Sequence, residues 1–394
     1  MSELKKRIKM KNNYLSSRYR KDFGNAMGES DVLAKSFDDV INMSIGDPDK
    51  TTPEEIINAA FADAKAGYTG YSDFQGDPEL RRSISKYYFE EFGMEVDDNE
   101  ILITSSATPG MYLTLEAILE DGDEVIMQAP FFSPYPDQVR LARGTPVELP
   151  TYEEEDFQIS VERLRSLISH RTKALIINTP SNPTGSCLTI ETMMGIAEIA
   201  EANDLVVVAD DIYIDYSYEN PFVPFASLPG MRERTVTLNS FSKGFNMTGW
   251  RVGSVIAPAY LIKAMQFIND NVCFTVPTIS QRAAVYALNH RHEIQPEIVE
   301  EYRKRMYYAA ERANRIPWMH VIYPPKGAFY LFPSIKATGL TSVEVADRIL
   351  REAHVLVLPG NAFGECGEGH LRMSLTVSFE EIEEAFDRLE KIRF

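Results

Sequence analysis

Cysteine and histidine are scarce in this sequence, and neither occurs in a spacing that builds a structural site. The three cysteines, Cys187, Cys273 and Cys366, are far apart and odd in number. This argues against the disulfide framework of a secreted protein and is typical of a protein in the reducing cytoplasm. Of the six histidines, His290 and His292 are nearest to each other, and their spacing is not typical of metal ligands. We therefore expect a cytoplasmic protein and no metal site.

Long apolar runs are also missing. A helix needs ~20 predominantly apolar residues to span a bilayer, and the region 255–268 is broken by Pro258 and Lys263. The amino end carries five basic residues between positions 5 and 11 but no apolar stretch after them. The pattern of a secretory signal is therefore excluded. A polar arm is the preferred interpretation of this segment, over an organelle transit peptide.

Positive charge is under-represented. The 58 acidic residues outnumber the 40 lysines and arginines, which leaves a formal net charge of −18. Such a surface repels nucleic acid and anionic membranes, so we expect neither as a partner. A G-x-G-x-x-G motif after a predicted strand is absent as well. A dehydrogenase that binds a dinucleotide is therefore unsupported.

Short apolar runs alternate with amphipathic segments in the central part of the chain. Continuous apolar runs predict buried strands, and their alternation with helices predicts an α/β fold whose largely parallel sheet is covered on both faces. The predicted strands are 100–104, 124–128, 173–178, 205–209, 235–238 and 252–257. The predicted helices among them are 109–119, 161–169 and 190–202.

The two ends of the chain have a different pattern. Near the amino end, Thr52-Pro53-Glu54 predicts a helix that begins with an N-cap followed by proline. We divide the chain into an arm with part of a small domain (1–50), a large domain (51–294) and a small α+β domain (295–394). Further predicted helices are 79–91, 259–269, 277–289, 295–314, 342–353 and 379–392, and further predicted strands are 320–322, 328–332 and 371–374.

Residues that follow the first two predicted strands are suited to binding. Ligands of open parallel sheets bind beyond the carboxyl ends of the strands. The small residues at positions 105–108 come between a strand and a helix, where free N–H groups and the helix dipole can hold a phosphate. An ordinary N-cap explains them equally well. Phe132 follows the second strand and could stack on a planar ring or pack in the core.

The next two strands deliver an amide and a carboxylate. Asn182, in the segment N-P-T-G, could donate to a phenolate oxygen, although turn formation alone explains such a segment. Asp210 and Tyr213 lie in D-D-I-Y, directly after a wholly apolar strand. A carboxylate in that position is costly unless it is paired, and a protonated pyridine nitrogen is a fitting partner. The alternative is a capping aspartate.

The most informative stretch is 240–251, which follows the predicted strand 235–238. It reads S-F-S-K-G-F-N-M-T-G-W-R. The amine of Lys243 can form a Schiff base with a carbonyl. Ser240, Ser242 and Arg251 can hold a phosphate beside it, because arginine offers a planar fork to two oxygens. The plainer interpretation of an isolated S-x-S-K is a loop with a solvated lysine.

This stretch, S-x-S-K followed by M-T-G-W-R, resembles the lysine signature of the class I/II aminotransferases, the aspartate aminotransferase-like family of fold type I. The resemblance extends from about Asn42 to the carboxyl end. It implies a large domain with a mostly parallel sheet, a smaller α+β domain and pyridoxal 5′-phosphate as cofactor. It also implies an enzyme that moves an amino group between an L-amino acid, such as aspartate or an aromatic amino acid, and a 2-oxo acid.

The resemblance assigns roles to the residues found at the strand ends. Lys243 resembles the lysine that binds the cofactor covalently, and Asp210 the acid on the pyridine nitrogen. Tyr213 and Asn182 resemble the pair that shares the 3-oxygen of the ring, while Phe132 falls where a Trp or Tyr usually stacks. The residues that resemble phosphate ligands are Ser105, Ser106, Ala107, Thr108, Ser240, Ser242 and Arg251.

Three more residues match the family at the edge of the site. Arg372 in H-L-R-M-S resembles the arginine that binds the substrate α-carboxylate, and Gly46 in I-G-D-P-D the glycine at the substrate's edge. Tyr71 resembles the tyrosine that reaches the phosphate of the other subunit, which implies a homodimer with shared active sites. Two departures are Ser106, where many members have glycine, and Asp211, where glutamate is usual.

Other functions remain open on this scaffold. A carbon–sulfur β-lyase of the cystathionine type uses the same lysine and cofactor, but M-T-G-W-R favours transamination. A binding or regulatory protein without chemistry is a further alternative, against which the set of Lys243, Asp210 and Arg372 argues. Arg18, Arg20 or residues near Phe74 are candidates for contact with the substrate side chain.

Overall fold

The computed structural model describes residues 14–16, 19, 34 and 37–394. The basic residues at 5–11, together with Arg18 and Arg20, lie outside the described residues. The strands are β1 (Ile41–Asn42), β2 (Ile101–Thr104), β3 (Glu124–Ala129), β4 (Thr145–Pro150), β5 (Thr172–Asn178), β6 (Val206–Asp210), β7 (Thr235–Ser240), β8 (Gly253–Ile256), β9 (Tyr330–Leu331), β10 (Val355–Leu356), β11 (Leu358–Pro359) and β12 (Leu371–Ser374).

The helices flank these strands along the chain. They are α1 (Glu54–Lys65), α2 (Pro78–Phe92), α3 (Ala107–Ile118), α4 (Tyr135–Leu141), α5 (Val161–Leu167), α6 (Ile190–Ala202), α7 (Phe241–Gly244), α8 (Ala259–Val272), α9 (Thr278–Asn289), α10 (Arg291–Arg315), α11 (Ser342–Ala353) and α12 (Phe379–Leu389). No helix in the described part of the chain is long and apolar enough to cross a membrane.

Local sequence explains where several helices begin and end. Asp77 caps α2 by accepting from the Glu79 N–H, proline is the first helical residue, and Gly93 ends the helix at φ 65°. The N-cap expected at Thr52 was wrong. Pro53 occupies that position without a side-chain bond, and the Thr52 hydroxyl instead donates to the carbonyl of Asn246 at 2.6 Å. Thr52 therefore ties the start of α1 to the segment just after Lys243.

The central sheet has seven strands in the order β2-β8-β7-β6-β5-β3-β4. Strand β8 runs antiparallel to the other six strands of this sheet, and its neighbours are β2 and β7. The predicted α/β fold with a largely parallel sheet is thus confirmed. Because β8 runs in the opposite direction, its amino end lies at the same edge of the sheet as the carboxyl ends of the other strands.

Apolar residues cover both faces of this sheet. In β6, Val208 packs with Leu102 and Val236 on one face, whereas Val207 and Ala209 belong to a cluster on the other. Alternate side chains of a strand point to opposite faces, so a continuous apolar run is the expected pattern of a strand buried on both sides. Each fully buried valine or leucine contributes ~1.5–3 kcal/mol.

Six of these elements were not predicted, namely β1, β4, β10, β11, α4 and α7, and one predicted strand was wrong. The edge strand β4 is half-exposed and contains Pro146 and Pro150. Its sequence shows neither a continuous apolar run nor an alternation of apolar and polar residues, so neither pattern predicts a strand there. Helix α4, which has seven residues, was not predicted either. At 320–322, among the described residues, only His320 pairs, in an isolated bridge with Ser334. Pro324 and Pro325, two positions further on, lack the N–H groups that would extend a strand in that direction.

A second core lies in the carboxyl-terminal part of the chain and includes residues from the amino end. Ile41 and Met43 pack there with residues of α10 to α12, and β1 pairs with β10. Helix α10 runs through residue 295: Ile294 packs with the large-domain cluster and Met306 with the second core. We propose the division into 1–50, 51–294 and 295–394 as domains, with α10 common to the last two.

Candidate active site

A cavity of about 610 Å³ lies at the carboxyl edge of the sheet. Residues that follow β2, β3, β5, β6 and β7 line it, and so does Arg251, which precedes the antiparallel β8. A cavity of this size is typical of a site for a small molecule. The predicted site residues that line it are Gly46, Ser106, Ala107, Thr108, Phe132, Asn182, Asp210, Tyr213, Ser242, Lys243, Arg251 and Arg372.

Three predicted site residues do not line this cavity. Ser240 lies behind Ser242: its hydroxyl donates to that of Ser242 at 2.8 Å and accepts from the Ser242 N–H. The Ser105 hydroxyl lies 3.6 Å from the sulfur of Cys273. Tyr71 is 83% exposed, and its ring packs edge-on against Phe274. Within one chain, therefore, these three side chains are not part of the cavity wall.

Lys243 projects from the short helix α7, which the hydroxyl of Ser240 caps. Its Nζ donates to the carbonyl of Gly46 at 2.5 Å. Burial lowers the pKa of Lys243 to about 8, with Arg251 and Arg372 acting in the same direction and Asp47 opposing them. At pH 7 roughly a tenth of the amine is consequently neutral and nucleophilic, against less than ~0.1% for a lysine of ordinary pKa.

Asp210 ends β6 and has one satisfied and one unsatisfied carboxylate oxygen. Its Oδ2 accepts from the hydroxyl of Tyr135 at 2.5 Å, whereas Oδ1 is buried without a hydrogen-bond partner among the described residues. Burial raises the pKa of Asp210 to about 6, and the Tyr135 hydroxyl and the nearby N–H of Ile212 moderate the rise. The neighbouring Asp211 is buried but does not line the cavity.

The amino end of α3 forms another wall. Ser106 is its N-cap with φ 87°, a conformation that favours glycine. Ser106, which stands where many members of the resembled family have glycine, thus adopts a backbone conformation that favours glycine. The backbone of Ser106 packs closely against Gly253, where a Cβ would lie 3.0 Å from the Cα of Ser106. The first N–H groups of a helix have no intrahelical acceptor, so those of Ala107 and Thr108 can bind an anion.

Arg372 is a buried cation without a carboxylate partner among the described residues. Its guanidinium donates to Oδ1 of Asn182 at 3.2 Å and to the carbonyl of Ser44, and its Nε has no partner in the described ranges. Burial lowers the pKa of Arg372. A buried charge of this kind requires an opposite charge to offset its desolvation. An anionic ligand in the cavity would supply one.

Tyr213 meets a second phenol. Its hydroxyl lies 3.0 Å from the hydroxyl of Tyr330, and burial raises the pKa of both tyrosines. A Cβ added to Gly46 would overlap the Tyr330 hydroxyl. This overlap gives a physical reason for glycine at position 46, which the sequence alone did not provide.

Sequence reasoning missed Tyr135, Asn178 and Tyr330, which all line the cavity. Asn178 accepts from the N–H of Asn182 at 2.7 Å and donates to the Asp210 carbonyl at 2.7 Å. Its place at the end of a predicted strand was a usable signal. Tyr135 and Tyr330 had none, because their partners are distant in the chain.

Comparison with known proteins identifies the family. The model of the family "Aminotransferase class I and II" matches residues 38–389. The chain belongs to this family. It is 42% identical to the aspartate aminotransferase of Pyrococcus abyssi, over 91% of this chain and 93% of the relative. It is 40% identical to aromatic-amino-acid aminotransferase 2 of Thermococcus litoralis, with the same coverage of both chains.

Solved structures of aminotransferases have the same fold. The aromatic aminotransferase of Pyrococcus horikoshii superposes with a TM-score of 0.87 at 39% identity, covering 92% of this chain and 98% of that chain. The Thermus thermophilus aspartate aminotransferase with maleate has a TM-score of 0.90 at 32% identity, covering 96% and 99%. The predicted family and fold type I architecture are confirmed, and this aminotransferase depends on pyridoxal phosphate.

The cavity of this aminotransferase fits that cofactor. Oδ1 of Asp210, which has no partner in the described part of the chain, can accept from a protonated ring nitrogen, and this bond would offset the cost of burying the carboxylate. The amino end of α3 and Arg251 can hold a phosphate, and Lys243 supplies the amine. Within the described residues, no group of three or more His, Cys, Asp or Glu side chains is arranged to hold a metal ion.

Proposed function

We propose that Lys243, Asp210 and Arg372 carry out the transamination that the family performs. One observation supports this assignment above the others. In the part of the chain that the structure describes, a lysine of lowered pKa, a carboxylate with a free buried oxygen and a buried arginine without a carboxylate partner all line the same cavity. Burying each of these groups costs free energy when the cavity holds no ligand. A cofactor and an amino acid substrate in the cavity would offset that cost by supplying partners.

Lys243 has two tasks in this proposal: it holds the cofactor covalently, and its amine, once released, transfers the proton of the substrate α-carbon. Bound pyridoxal phosphate supplies the electron sink that stabilises negative charge at that carbon. A well-placed general base contributes ~10²–10⁴-fold in rate. The lowered pKa of Lys243 suits this role, because a neutral amine is required to accept the proton.

The remaining lining residues orient the cofactor and the substrate. Asp210 keeps a proton on the ring nitrogen, while Tyr213 and Asn182 bind the 3-oxygen and Phe132 stacks on the ring. Arg372 binds the α-carboxylate next to Gly46. The residues that hold the phosphate in this proposal are Ser106, Ala107, Thr108, Ser242 and Arg251, with Ser105 and Ser240 supporting them from behind.

The substrates we propose are an L-amino acid and a 2-oxo acid. Relatives at about 40% identity are named for aspartate and for aromatic amino acids, so both classes of donor are candidates. A panel of amino donors assayed with 2-oxoglutarate and with pyruvate would rank them. The lyase alternative has a separate assay, since a lyase would release ammonia and pyruvate from cystathionine without any 2-oxo acid.

We also propose a cytoplasmic homodimer in which Tyr71 reaches the phosphate of the other subunit. Tyr71 is 83% exposed and packs with Phe274, itself 42% exposed, and Phe74 packs against the same ring. Exposed aromatic clusters of this kind mark interfaces. Sedimentation should give a dimer mass, and Tyr71→Phe should weaken cofactor affinity while the dimer persists. A monomer that binds the cofactor with unchanged affinity would contradict this proposal.

Borohydride reduction tests the central assignment. Treatment of the loaded protein should attach the cofactor irreversibly to Lys243, and Lys243→Ala should abolish this attachment. Lys263→Ala is the matched control, because Lys263 lies on α8 and does not line the cavity. A link that survives in Lys243→Ala, at any other lysine, would refute the proposed mechanism.

A further inference from the structure

Tyr330 occupies a central position that none of the roles above explains. It lies on β9 in the small-domain part of the chain, is 3% exposed and lines the cavity. Its hydroxyl is 3.0 Å from that of Tyr213, and the guanidinium carbon of Arg372 lies 4.9 Å from the centre of its ring. The Tyr330 hydroxyl also packs against Gly46, so closely that a Cβ at position 46 would overlap it. One phenol thus contacts the residues proposed to bind the cofactor oxygen and the substrate carboxylate.

The direction of the bond between the two phenols follows from counting protons. A tyrosine hydroxyl has one proton to donate and can also accept. Burial raises the pKa of both residues, so both carry their proton at neutral pH. If Tyr213 donates its proton to the 3-oxygen of the cofactor, it has none left for Tyr330. The bond of 3.0 Å must then run from Tyr330 to the oxygen of Tyr213.

We propose that Tyr330 is a positioning residue that donates to Tyr213 and so makes Tyr213 a better donor to the cofactor 3-oxygen. The inference rests on the proposed function of this site. Hydrogen bonds in a chain polarise one another, so a donor that itself accepts a bond becomes stronger. The bond also fixes the Tyr213 hydroxyl in the orientation that faces the cofactor. The titratable groups that act on Tyr330 are Tyr213 and Arg372.

The expected effect is spectroscopic. The bound cofactor changes its absorption when the nitrogen that joins it to Lys243 loses a proton. A hydrogen bond to the nearby 3-oxygen withdraws negative charge and thereby favours the proton-free form. Tyr330→Phe weakens this bond without removing it, so it should raise the midpoint pH of the absorption change by less than the ~0.3–1 unit that corresponds to loss of a whole neutral hydrogen bond. Tyr213→Phe should raise it further.

A double variant tests whether Tyr330 acts through Tyr213. In the Tyr213→Phe background, Tyr330→Phe should add no further shift, because the residue it orients has lost its hydroxyl. Tyr302→Phe is the matched control. Tyr302 is a buried tyrosine of the same aromatic cluster, its hydroxyl has no partner among the described residues and it does not line the cavity. This control should leave the midpoint unchanged.

Several results would overturn the inference. An unchanged midpoint in Tyr330→Phe, or an equal shift with and without the Tyr213 hydroxyl, would show that Tyr330 does not act through Tyr213. A raised KM for the amino acid with an unchanged midpoint would place Tyr330 on the substrate instead. If Tyr330→Phe fails to fold, Gly46→Ala displaces the same hydroxyl by overlap and should raise the midpoint as well.

The baseline measurements separate this inference from the proposed function. Wild-type protein should show the cofactor absorption and a borohydride-reducible link at Lys243. If wild type forms no such link, the proposed function fails. If it does form the link and Tyr213→Phe shifts the midpoint while Tyr330→Phe does not, only the role of Tyr330 is refuted.

Discussion

Tyr135 donates a hydrogen bond of 2.5 Å to Oδ2 of Asp210, while Oδ1 of the same buried carboxylate has no partner among the described residues. The carboxylate is therefore held in a fixed orientation with one oxygen available. Burial makes this arrangement unfavourable for the charged form, which is why the pKa of Asp210 rises to about 6. The site carries an energetic cost that a cationic ring nitrogen would offset.

The first prediction concerns the stability cost of Asp210. Because the folded protein binds this proton more tightly than the unfolded chain, Asp210 destabilises the cofactor-free protein as pH rises from about 4 to about 6. At pH 7, Asp210→Asn should therefore stabilise the cofactor-free protein by up to ~3 kcal/mol. The same substitution should abolish most activity. Urea unfolding at pH 7 and near pH 4 measures the difference in the free energy of unfolding between wild type and Asp210→Asn, and this difference should vanish at the lower pH.

Asp121→Asn is the control for this measurement, because its side chain is 82% exposed. It should change the free energy of unfolding by less than ~0.5 kcal/mol at either pH. Equal stabilities of wild type and Asp210→Asn at pH 7 would show that the carboxylate carries no burial cost.

The second prediction concerns the pH dependence of cofactor capture. Only the neutral amine of Lys243 attacks the cofactor aldehyde, so the rate should rise with pH and level off above the lysine pKa of about 8. Mixing cofactor-free protein with pyridoxal phosphate in a stopped-flow spectrometer measures this rate. Asp47 raises the pKa of Lys243, so Asp47→Asn should move the midpoint to lower pH. A rate that still climbs steeply above pH 9, as for a solvated lysine, would contradict the lowered pKa.

The third prediction concerns Arg372. Lysine cannot reproduce the fork that contacts both Asn182 and the Ser44 carbonyl. Loss of one charge-assisted bond is worth ~1.5–3 kcal/mol, so Arg372→Lys should lower kcat/KM for the amino acid by about 10–150-fold. Steady-state kinetics measures this, and the exposed Arg315→Lys is the control. An unchanged kcat/KM in Arg372→Lys would assign the carboxylate to another residue.

The fourth prediction concerns the segment 44–49, which carries Gly46. Arg305 is 1% exposed and holds both carboxylate oxygens of Asp49, at 2.7 and 3.1 Å. Removing one partner of a buried ion pair leaves an uncompensated charge. Asp49→Ala should destabilise the protein by roughly 3 kcal/mol, the low end for such pairs, since Glu301 still contacts Arg305. Urea unfolding tests this, and a change below ~1 kcal/mol would refute the anchoring role.

Much of the fold was predictable because local patterns and burial agree. Strands buried on both faces, such as β5 and β6, are continuous apolar runs, and α6 and α11 have the predicted bounds. Helix α11 begins with a capping box of Thr341 and Glu344, a local signal. The edge strand β4 and the short α4 were missed, because exposed or brief elements depend on their neighbours more than on their own residues.

The sequence by itself determined which groups reach the edge of the sheet, because a strand end and the residue after it are adjacent in the chain. Lys243, Asp210 and Asn182 could be placed at that edge for that reason, whereas Arg251 was assigned from the stretch 240–251. Only the tertiary structure decided what each group faces. Tyr135 and Asp210 are 75 positions apart, and Tyr213 and Tyr330 are 117 positions apart. Contacts at such separations leave no local pattern, so the free oxygen of Asp210 and the paired phenols emerge only when the chain is folded.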